Sequence, residues 1–201
     1  MGTLLEHVIG RTSIVDEVIT GGLDDGERLA DLELVGCTIR DTSWAGATLA
    51  GVRFEGCTFE RVDLSRVAWP DSILDGCTFT GCKALATSWA MLREPMLSPD
   101  PCTFVDCQLS MGSFAGLDLG AARFERCVLT DADFEDATLR GAVIDDSSLA
   151  GARFVRADLR EADLRGARDY VIDVREARVS GLRVDHVGAL GLLAPFGIDV
   201  E

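Results

Sequence analysis

The chain has 201 residues, a formal net charge of −15, and 47% hydrophobic residues. This composition supports a buried core, whereas the negative charge disfavours nucleic acid as a direct ligand. No run of about 18 apolar residues is present, so no membrane span is expected. The first residues lack the basic and apolar pattern of a secretory signal, so we expect a cytoplasmic protein.

An apolar residue recurs at every fifth position from Leu29 to Val184. Of the 32 positions in this phase 29 are apolar, and the exceptions are Glu94, Pro99 and Asp169. A helix repeats about every 3.6 residues and a strand about every two, so neither gives this spacing. We interpret each five-residue repeat as one side of a coil, with this residue and the one two places earlier pointing inward.

The number of sides follows from the residues in the large inward phase. Between 104 and 139 phenylalanine and leucine alternate strictly, which gives a period of ten. With four sides, like residues stack on like residues up each side, whereas three sides would mix them. We therefore predict 20 residues per coil, with successive coils about 4.8 Å apart.

Residues 1–28 are predicted to form an N-terminal cap. Their apolar residues Leu4, Ile9, Ile14 and Ile19 keep the phase, but the positions two places earlier do not. The open end of a solenoid needs such an atypical cover. The β-helix proper is then expected over 29–184.

An excursion is predicted near 91–101, because Glu94 and Pro99 occupy inward positions and prolines remove ladder donors there. The phase returns at Cys102 and Phe104, so the excursion is expected to replace repeats without breaking the phase. Loops on rigid scaffolds are disproportionately functional. The alternative is an imperfect coil with Leu92 and Leu97 pointing inward. The candidate partner-binding residues are Met91, Leu92, Arg93, Glu94, Pro95, Met96 and Leu97.

The segment 94–146 is strongly acidic, with eleven acidic and three basic residues. Adjacent carboxylates on outward positions are usually solvated, and His7 and His186 lie at opposite ends of the chain, so we do not expect an enzyme. The candidate acidic surface consists of Asp118, Asp131, Asp133, Glu135, Asp136, Asp145 and Asp146.

Residues 185–201 are predicted to form a short C-terminal helix and a dimerisation segment. Asp185 is a candidate N-cap before apolar residues at helical spacing. The apolar content exceeds what a lone cap needs, although a monomer with a self-contained cap remains the alternative. The candidate dimer interface consists of Leu190, Leu192, Leu193, Phe196 and Ile198.

All seven cysteines fall in the small inward phase, which predicts core residues in a reducing compartment. A metal site is disfavoured because no C-x-x-C pair exists, and a disulfide framework because the count is odd. Trp44, Trp69 and Trp89 fall in the large inward phase, which predicts burial rather than a ligand cage.

The units "ADFED", "ADLRE" and "ADLRG" resemble the consensus of the pentapeptide-repeat family. The resemblance implies an all-β fold, a right-handed quadrilateral β-helix, here with a short C-terminal helix. Segments 82–107 and 168–201 are similar to the albicidin-resistance and quinolone-resistance branch. That branch implies a C-terminal two-fold homodimer.

The same resemblance implies the partner and the role. The implied partner is DNA gyrase or topoisomerase IV, which the acidic rod would bind as a DNA mimic. The implied role is to protect that enzyme from an inhibitor. The alternative is a protein-binding scaffold with another partner. A carbohydrate- or metal-binding module ranks third, since the sequence supplies no ligand set, and no cofactor is expected.

Overall fold

A computed structural model describes residues 4–93 and 100–198, apart from the side chains of Glu6 and His7. Thirteen short strands run along the described chain in three parallel ladders, and we number the four sides of the coil in chain order. Side 1 carries β1 (Ser13–Val15), β4 (Glu33–Val35), β7 (Arg53–Glu55) and β9 (Ile73–Asp75). Side 2 carries β2 (Val18–Ile19), β5 (Thr38–Arg40), β8 (Thr58–Glu60), β10 (Thr78–Thr80), β11 (Thr103–Val105), β12 (Arg123–Glu125) and β13 (Val143–Asp145). Side 4 carries β3 (Arg28–Ala30) and β6 (Thr48–Ala50), and side 3 is held by isolated bridges such as Ser43 to Asp63.

The register between strands confirms four sides. Ser13 pairs with Glu33, and Glu33 pairs with Arg53, so each regular coil is four repeats long. Beyond β13 the side 2 ladder continues as bridges from Val143 to Asp163 and from Asp163 to Arg183. The chain is the right-handed quadrilateral β-helix that the sequence predicts.

Most corners of the coil place one residue in the left-handed backbone region, two positions after the large inward residue. Along the corner between sides 2 and 3, Asp41 has φ 53° and Arg61 has φ 52°. Glycine takes this conformation without a steric penalty, and Asp tolerates it better than most residues. At Gly46 a side chain is also excluded by space, because a Cβ would lie 2.3 Å from Oδ1 of Asp25.

The core is built from columns of like side chains, as the alternation of phenylalanine and leucine predicts. On side 2 the rings of Phe59, Phe79, Phe104 and Phe124 stack with centroids 4.6, 4.8 and 5.0 Å apart. On side 4 the stacked column is Trp69, Trp89, Phe114, Phe134 and Phe154. Trp44, Trp69 and Trp89 are all fully buried, which confirms their prediction as core residues.

The small inward positions form a second kind of column, in which buried donors bond to carbonyls of the preceding coil. Ser72 Oγ donates to the Leu49 carbonyl at 2.8 Å, and Thr87 Oγ1 donates to the Leu64 carbonyl at 2.7 Å. Cysteine takes the same place, as where Cys57 Sγ donates to the Leu34 carbonyl at 3.3 Å. All seven cysteines are free and six are buried, so cysteine serves here as a small core residue.

The N-terminal end joins the ladder earlier than the expected boundary at residue 28. Strands β1 and β2 already pair in register with the next coil, and Ile14 and Ile19 are buried. The short helix α1 (Leu4–Val8) precedes them and buries Leu4, whose N–H donates to the Gly22 carbonyl at 2.9 Å. Ile9 is 78% exposed, because α1 takes the chain off the path of the coil.

The C-terminal end is covered by helix α2 (Gly188–Leu193), followed by a 3-10 turn, Ala194–Phe196. Asp185 lies just before α2, and its Oδ1 accepts the Gly188 N–H at 2.7 Å, a capping contact of the kind expected from the sequence. The helix packs closely on Tyr170, since a Cβ at Gly191 would lie 2.0 Å from the Tyr170 carbonyl oxygen.

Candidate protein-binding surfaces

The excursion is an insertion of one repeat's length into a single coil. Before it, the Arg93 N–H donates to the Ser72 carbonyl at 2.8 Å, as Arg53 does to Leu32 in a regular coil. After it, the Gly76 N–H donates to the Asp100 carbonyl at 3.0 Å, one repeat later than the regular register. Arg93 and Asp100 therefore occupy positions that a single inward residue separates in a regular coil, whereas six residues separate them in this sequence. The phase is preserved, as expected, but the coil is lengthened from four repeats to five, so repeats are not replaced.

The insertion leaves a cavity of about 300 Å³ in side 1, which we call the window. Leu74, below it, and Leu117 and Leu119, above it, are only partly buried, whereas equivalent leucines such as Leu139 are fully buried. The other described residues that line it are Trp89, Leu92, Arg93, Asp100, Pro101, Cys102, Phe104, Phe114, Asp118, Gly120 and Ala122. The window thus brings core side chains within reach of the surface.

The predicted loop residues flank this window. Met91 ends a 3-10 turn, Trp89–Met91, and is exposed, while Arg93 is also exposed. Leu92 is partly buried and packs against the core, as the alternative of an imperfect coil required of it. Glu94, Pro95, Met96 and Leu97 lie outside the described residues.

Charged groups surround the window. The Asp100 N–H donates to Asp75 Oδ1 at 2.9 Å, and Asp75 also pairs with Arg53 at 3.3 Å. Among residues 4–93 and 100–198, neither Arg93 nor Asp118 forms an ion pair, and Asp118 Oδ1 accepts the Gly120 N–H at 2.9 Å.

Three members of the predicted acidic surface lie together on side 4 and its corner with side 1. Arg153 and Arg156 of the next coil pair with all of them: Arg156 bonds Asp136 at 2.7 Å and Glu135 at 2.6 Å, and Arg153 lies 3.6 Å from Asp133. The Arg156 guanidinium holds the pKa of Asp136 below its ordinary value by hydrogen bonding to the carboxylate. The two arginines therefore neutralise much of the negative charge of these three acidic residues.

The other four acids, Asp118, Asp131, Asp145 and Asp146, form no ion pair within the described part of the chain. The structure does not bring them together. Asp118 lies on side 1, Asp131 at the corner of sides 3 and 4, and Asp145 and Asp146 at the corner of sides 2 and 3. The unpaired acids are thus distributed around the rod.

The C-terminal residues divide into an exposed and a partly buried group. Leu190, Phe196 and Ile198 are exposed by 44, 45 and 50%, whereas Leu192 and Leu193 are partly buried. The Arg175 guanidinium lies 4.8 Å from the centre of the Phe196 ring, a distance typical of a cation–π contact. We call the exposed group the C-terminal patch.

Neither a metal site nor a membrane span is found in the described part of the chain. No group of three or more His, Cys, Asp or Glu residues there has a metal-binding arrangement. None of the helices described is long and apolar enough to cross a membrane.

Sequence reasoning missed the window and the residues it uncovers, chiefly Leu74, Leu119, Asp100 and Cys102. Glu94 and Pro99 marked its place in the sequence. The length of the insertion was hidden, because one extra repeat returns the chain to the same phase.

Fold and surfaces together define a parallel β-solenoid with candidate sites for protein contact. The family model described as pentapeptide repeats matches eight copies, over residues 29–67, 113–146 and 141–168. The chain is a pentapeptide-repeat protein. The excursion near 91–101 falls in the stretch between the matched segments 29–67 and 113–146.

Solved structures of similar fold include two trypsin-treated forms of QnrB1, a plasmid-mediated fluoroquinolone resistance protein. One has a TM-score of 0.71 at 17% identity, over 94% of this chain and 97% of that one. The other has a TM-score of 0.61 at 20% identity, over 94% and 100%. At these identities the likeness is one of fold. No curated protein matches the sequence.

Proposed function

We propose that this protein is a non-catalytic, cytoplasmic binding protein that occupies the DNA-binding surface of a type II topoisomerase and protects that enzyme from an inhibitor. DNA gyrase is the first candidate and topoisomerase IV the second. The observation that carries the proposal is a rigid rod with a net charge of −15 that keeps unpaired carboxylates on several of its corners. The fold shared with a fluoroquinolone resistance protein supports the same role.

The charge supports binding to a surface that normally holds DNA. DNA presents one phosphate about every 3.4 Å along each strand. Successive coils present their outward residues about every 4.8 Å along one edge, so carboxylates stacked on a corner give a comparable line of negative charge. Complementary potentials of this kind raise association rates and make binding sensitive to salt.

The window supports a second, more specific contact. The four-sided coil offers flat outward surfaces, whereas the window places Met91, Arg93 and Asp118 around partly exposed leucines. An apolar patch rimmed by charge is the usual anatomy of a protein interface. The excursion that interrupts side 1 is therefore the proposed recognition element.

The C-terminal patch supports a homodimer. Leu190, Phe196 and Ile198 add exposed apolar surface at the end of the rod, where a two-fold contact would double its length. Light scattering at tens of micromolar should give the mass of a dimer, and Leu190→Glu should give a monomer. A parent protein that is monomeric under these conditions contradicts the dimer.

One observation favours the alternative, a scaffold for a partner other than a topoisomerase. Arginines pair with acids on neighbouring coils, as Arg126 does with Asp106 at 2.7 Å and Arg61 with Asp41 at 2.7 Å. These pairs turn parts of the rod into mixed-charge surfaces of the kind that many proteins bind. A partner of this sort would show no competition with DNA.

The deciding experiment is a supercoiling assay with purified gyrase, with and without a fluoroquinolone, over a range of concentrations of this protein. Rescue of supercoiling that weakens as salt rises supports the proposal. If the protein neither rescues nor inhibits gyrase, and the same assay with topoisomerase IV is also unaffected, the proposal is wrong.

Two aspartates on one corner provide a matched pair for this assay. Asp106 and Asp146 both have positive φ on the corner of sides 2 and 3, but only Asp106 is paired with an arginine. Replacing either with Asn changes the net charge equally. If unpaired carboxylates make the contact, Asp146→Asn weakens rescue more than Asp106→Asn. If the two substitutions weaken rescue equally, binding depends on the net charge of the rod and not on unpaired carboxylates in particular.

The excursion is tested by removing it without disturbing the coil. Deleting residues 94–98 and replacing Pro99 with Leu restores a coil of four repeats with an inward leucine; we call this the closed-wall variant. We expect it to fold and dimerise but to lose rescue of gyrase. Full rescue by a folded closed-wall variant would remove the excursion from the interface.

A further inference from the structure

The seven cysteines lie in two columns inside the coil. One column, on side 2, contains Cys37, Cys57, Cys77 and Cys102, and the other, on side 3, contains Cys82, Cys107 and Cys127. In six of them Sγ donates to a backbone carbonyl of the preceding coil, at 3.3 to 3.6 Å. These six are buried.

Cys102 differs from the other six in exposure and in its partners. It is partly exposed, and it lines the window. Its contact is with the thiol of Cys77, the preceding member of its column, rather than with a carbonyl of the preceding coil. Cys102 is the one cysteine among the described residues that line the window, so it is the cysteine that a small molecule in the window meets first.

The backbone spacing of this pair suits a disulfide. Thr78 pairs with Thr103 in a parallel ladder, so Cys77 and Cys102, one position earlier on each strand, are also neighbours. Neighbouring strands lie about 4.8 Å apart. Disulfides join residues whose Cα atoms are roughly 4.4 to 6.8 Å apart, so the bond needs little backbone movement.

The pKa values of the two thiols are shifted in opposite directions. The contact with the Cys77 thiol lowers the pKa of Cys102, and the same contact together with burial raises the pKa of Cys77 well above its ordinary value. The thiolate is the reactive form of cysteine. The lowered pKa therefore favours Cys102, which is partly exposed and lines the window, as the member of the pair that reacts.

We propose that Cys102 and Cys77 form an oxidisable dithiol, in which Cys102 reacts with small hydroperoxides that enter the window and Cys77 resolves the product to a disulfide. The Cys102 thiolate attacks the terminal hydroperoxide oxygen, so an S–O bond forms, the O–O bond breaks, and the leaving alkoxide takes a proton to become an alcohol or water. The Cys77 sulfur then attacks the Cys102 sulfenic acid, so the S–S bond forms and the S–O bond breaks. The hydroxyl leaves as water with the Cys77 proton, and two thiols have been oxidised by one hydroperoxide.

The disulfide would join the coil before the excursion to the coil after it. It closes the stretch of chain that carries the excursion, and so fixes the distance between the starts of the paired strands β10 and β11. The proposal does not depend on the identity of the protein partner, because thiol chemistry is measured on the isolated chain.

The test exposes the full native protein to hydrogen peroxide, blocks remaining thiols, and maps disulfides by mass spectrometry without reduction. We expect one disulfide, between Cys77 and Cys102, formed while the protein remains folded and reversed by a dithiol reductant. Cys102→Ser should abolish it, and Cys77→Ser should leave Cys102 as a sulfenic acid that a dimedone-type probe traps. The pair Cys107 and Cys127 is the control, because its thiols are also neighbours but both are buried.

The outcomes separate clearly. Preferential labelling of Cys102 by a maleimide in the native state, with the other six labelled only after unfolding, supports its role as the reactive thiol. Equal labelling of several cysteines, oxidation of Cys107 and Cys127 at the same rate, or no oxidation in the folded protein would each overturn the proposal. A Cys102 that proceeds to sulfinic acid without joining Cys77 would overturn the resolving role.

Discussion

Sides 1 and 2 of the same coil respond differently to the same extra repeat. On side 2 the ladder is uninterrupted: β10 pairs with β11, and Phe79 stacks on Phe104 at 4.8 Å with an interplanar angle of 7°. On side 1 the strand ladder ends at β9, and Leu74 and Leu119 are left partly exposed around the window. An insertion equal to one repeat is therefore absorbed within a single side.

The reason is that each side is a separate repeat. An insertion of one repeat's length returns every later residue to its own phase, so inward residues remain inward and the columns on the other sides continue. Contact between coils is made by neighbouring strands only, as in other solenoids, so a local defect does not propagate. A window can thus be opened in a rigid rod at low cost to the rest of the fold.

The largest expected effect is a difference in the free energy of unfolding between two core substitutions. One changes Trp69, in the unbroken column on side 4, and the other changes Leu74, beside the window. Trp69→Ala removes a fully buried indole that stacks on Trp89 at 5.4 Å, and should destabilise the fold by about 3–5 kcal/mol. Leu74→Ala, in a partly exposed position, should cost about 1–2 kcal/mol, because less apolar surface leaves the core. Urea unfolding at equilibrium measures both.

Equal losses for these two variants would contradict the comparison, because they would mean that Leu74 is as well packed as the column on side 4. The tryptophan emission of the parent protein gives an independent check. A spectrum typical of fully solvated indole would contradict the burial of Trp44, Trp69 and Trp89.

The closed-wall variant should convert side 1 into a continuous wall like side 2. A new inward leucine between Leu74 and Leu119, together with a shorter loop, should stabilise the protein by about 1–2 kcal/mol. Acrylamide quenching should become weaker for Trp89, which lines the window, and stay unchanged for Trp44, which does not. Single-tryptophan variants made with phenylalanine separate the two signals.

A closed-wall variant that is less stable than the parent, yet still folded, would show that the insertion contributes to packing. Unchanged quenching of Trp89 would show that the window does not admit small solutes. This second result would also remove the route by which a hydroperoxide is proposed to reach Cys102.

The repeat predicted the regular part of the molecule well, for a physical reason. Burial has a period of five, so the sequence alone identifies which residues point inward, and the alternation of Phe and Leu identifies four sides. Glu94 and Pro99 indicated an interruption of the repeat, because they occupy positions of the inward phase where apolar residues are expected. The register across the break was not predictable, because a coil of four repeats and a coil of five both put Phe104 in the same phase.

Charge pairing was missed for a different reason. Partners such as Asp106 and Arg126 lie four repeats apart in the sequence, so they become neighbours only once the length of the coil is known. With that length, an Asp followed by an Arg four repeats later is a readable signal, as Asp41 with Arg61 and Asp136 with Arg156 show. The seven acids grouped from composition therefore divide into paired and unpaired members.

The smallest expected effect is on the pH dependence of stability. It compares Asp163, in the uninterrupted ladder of side 2, with Asp118, beside the window. Asp163, on side 2, bonds Arg165 at 2.7 Å and Arg183 at 3.3 Å, and its side chain is 17% exposed. Hydrogen bonding to Arg165 lowers the pKa of Asp163 to about 2. Asp118 has no ion pair among the described residues, so Asp118→Asn serves as the matched control.

The direction of this pH dependence follows from whether the folded or the unfolded state binds the proton. In the unfolded chain an aspartate has a pKa of about 3.9, so below that pH the unfolded state takes up a proton that folded Asp163 does not. The stability that Asp163 contributes is therefore present above about pH 4 and is lost as the pH falls toward 2. Allowing for solvent screening, we expect Asp163→Asn to cost about 1 kcal/mol at pH 7 and nothing near pH 2. Urea unfolding across this range should show the two curves converging for Asp163→Asn, while Asp118→Asn follows the parent throughout; a constant offset for Asp163→Asn would assign its effect to packing rather than to charge.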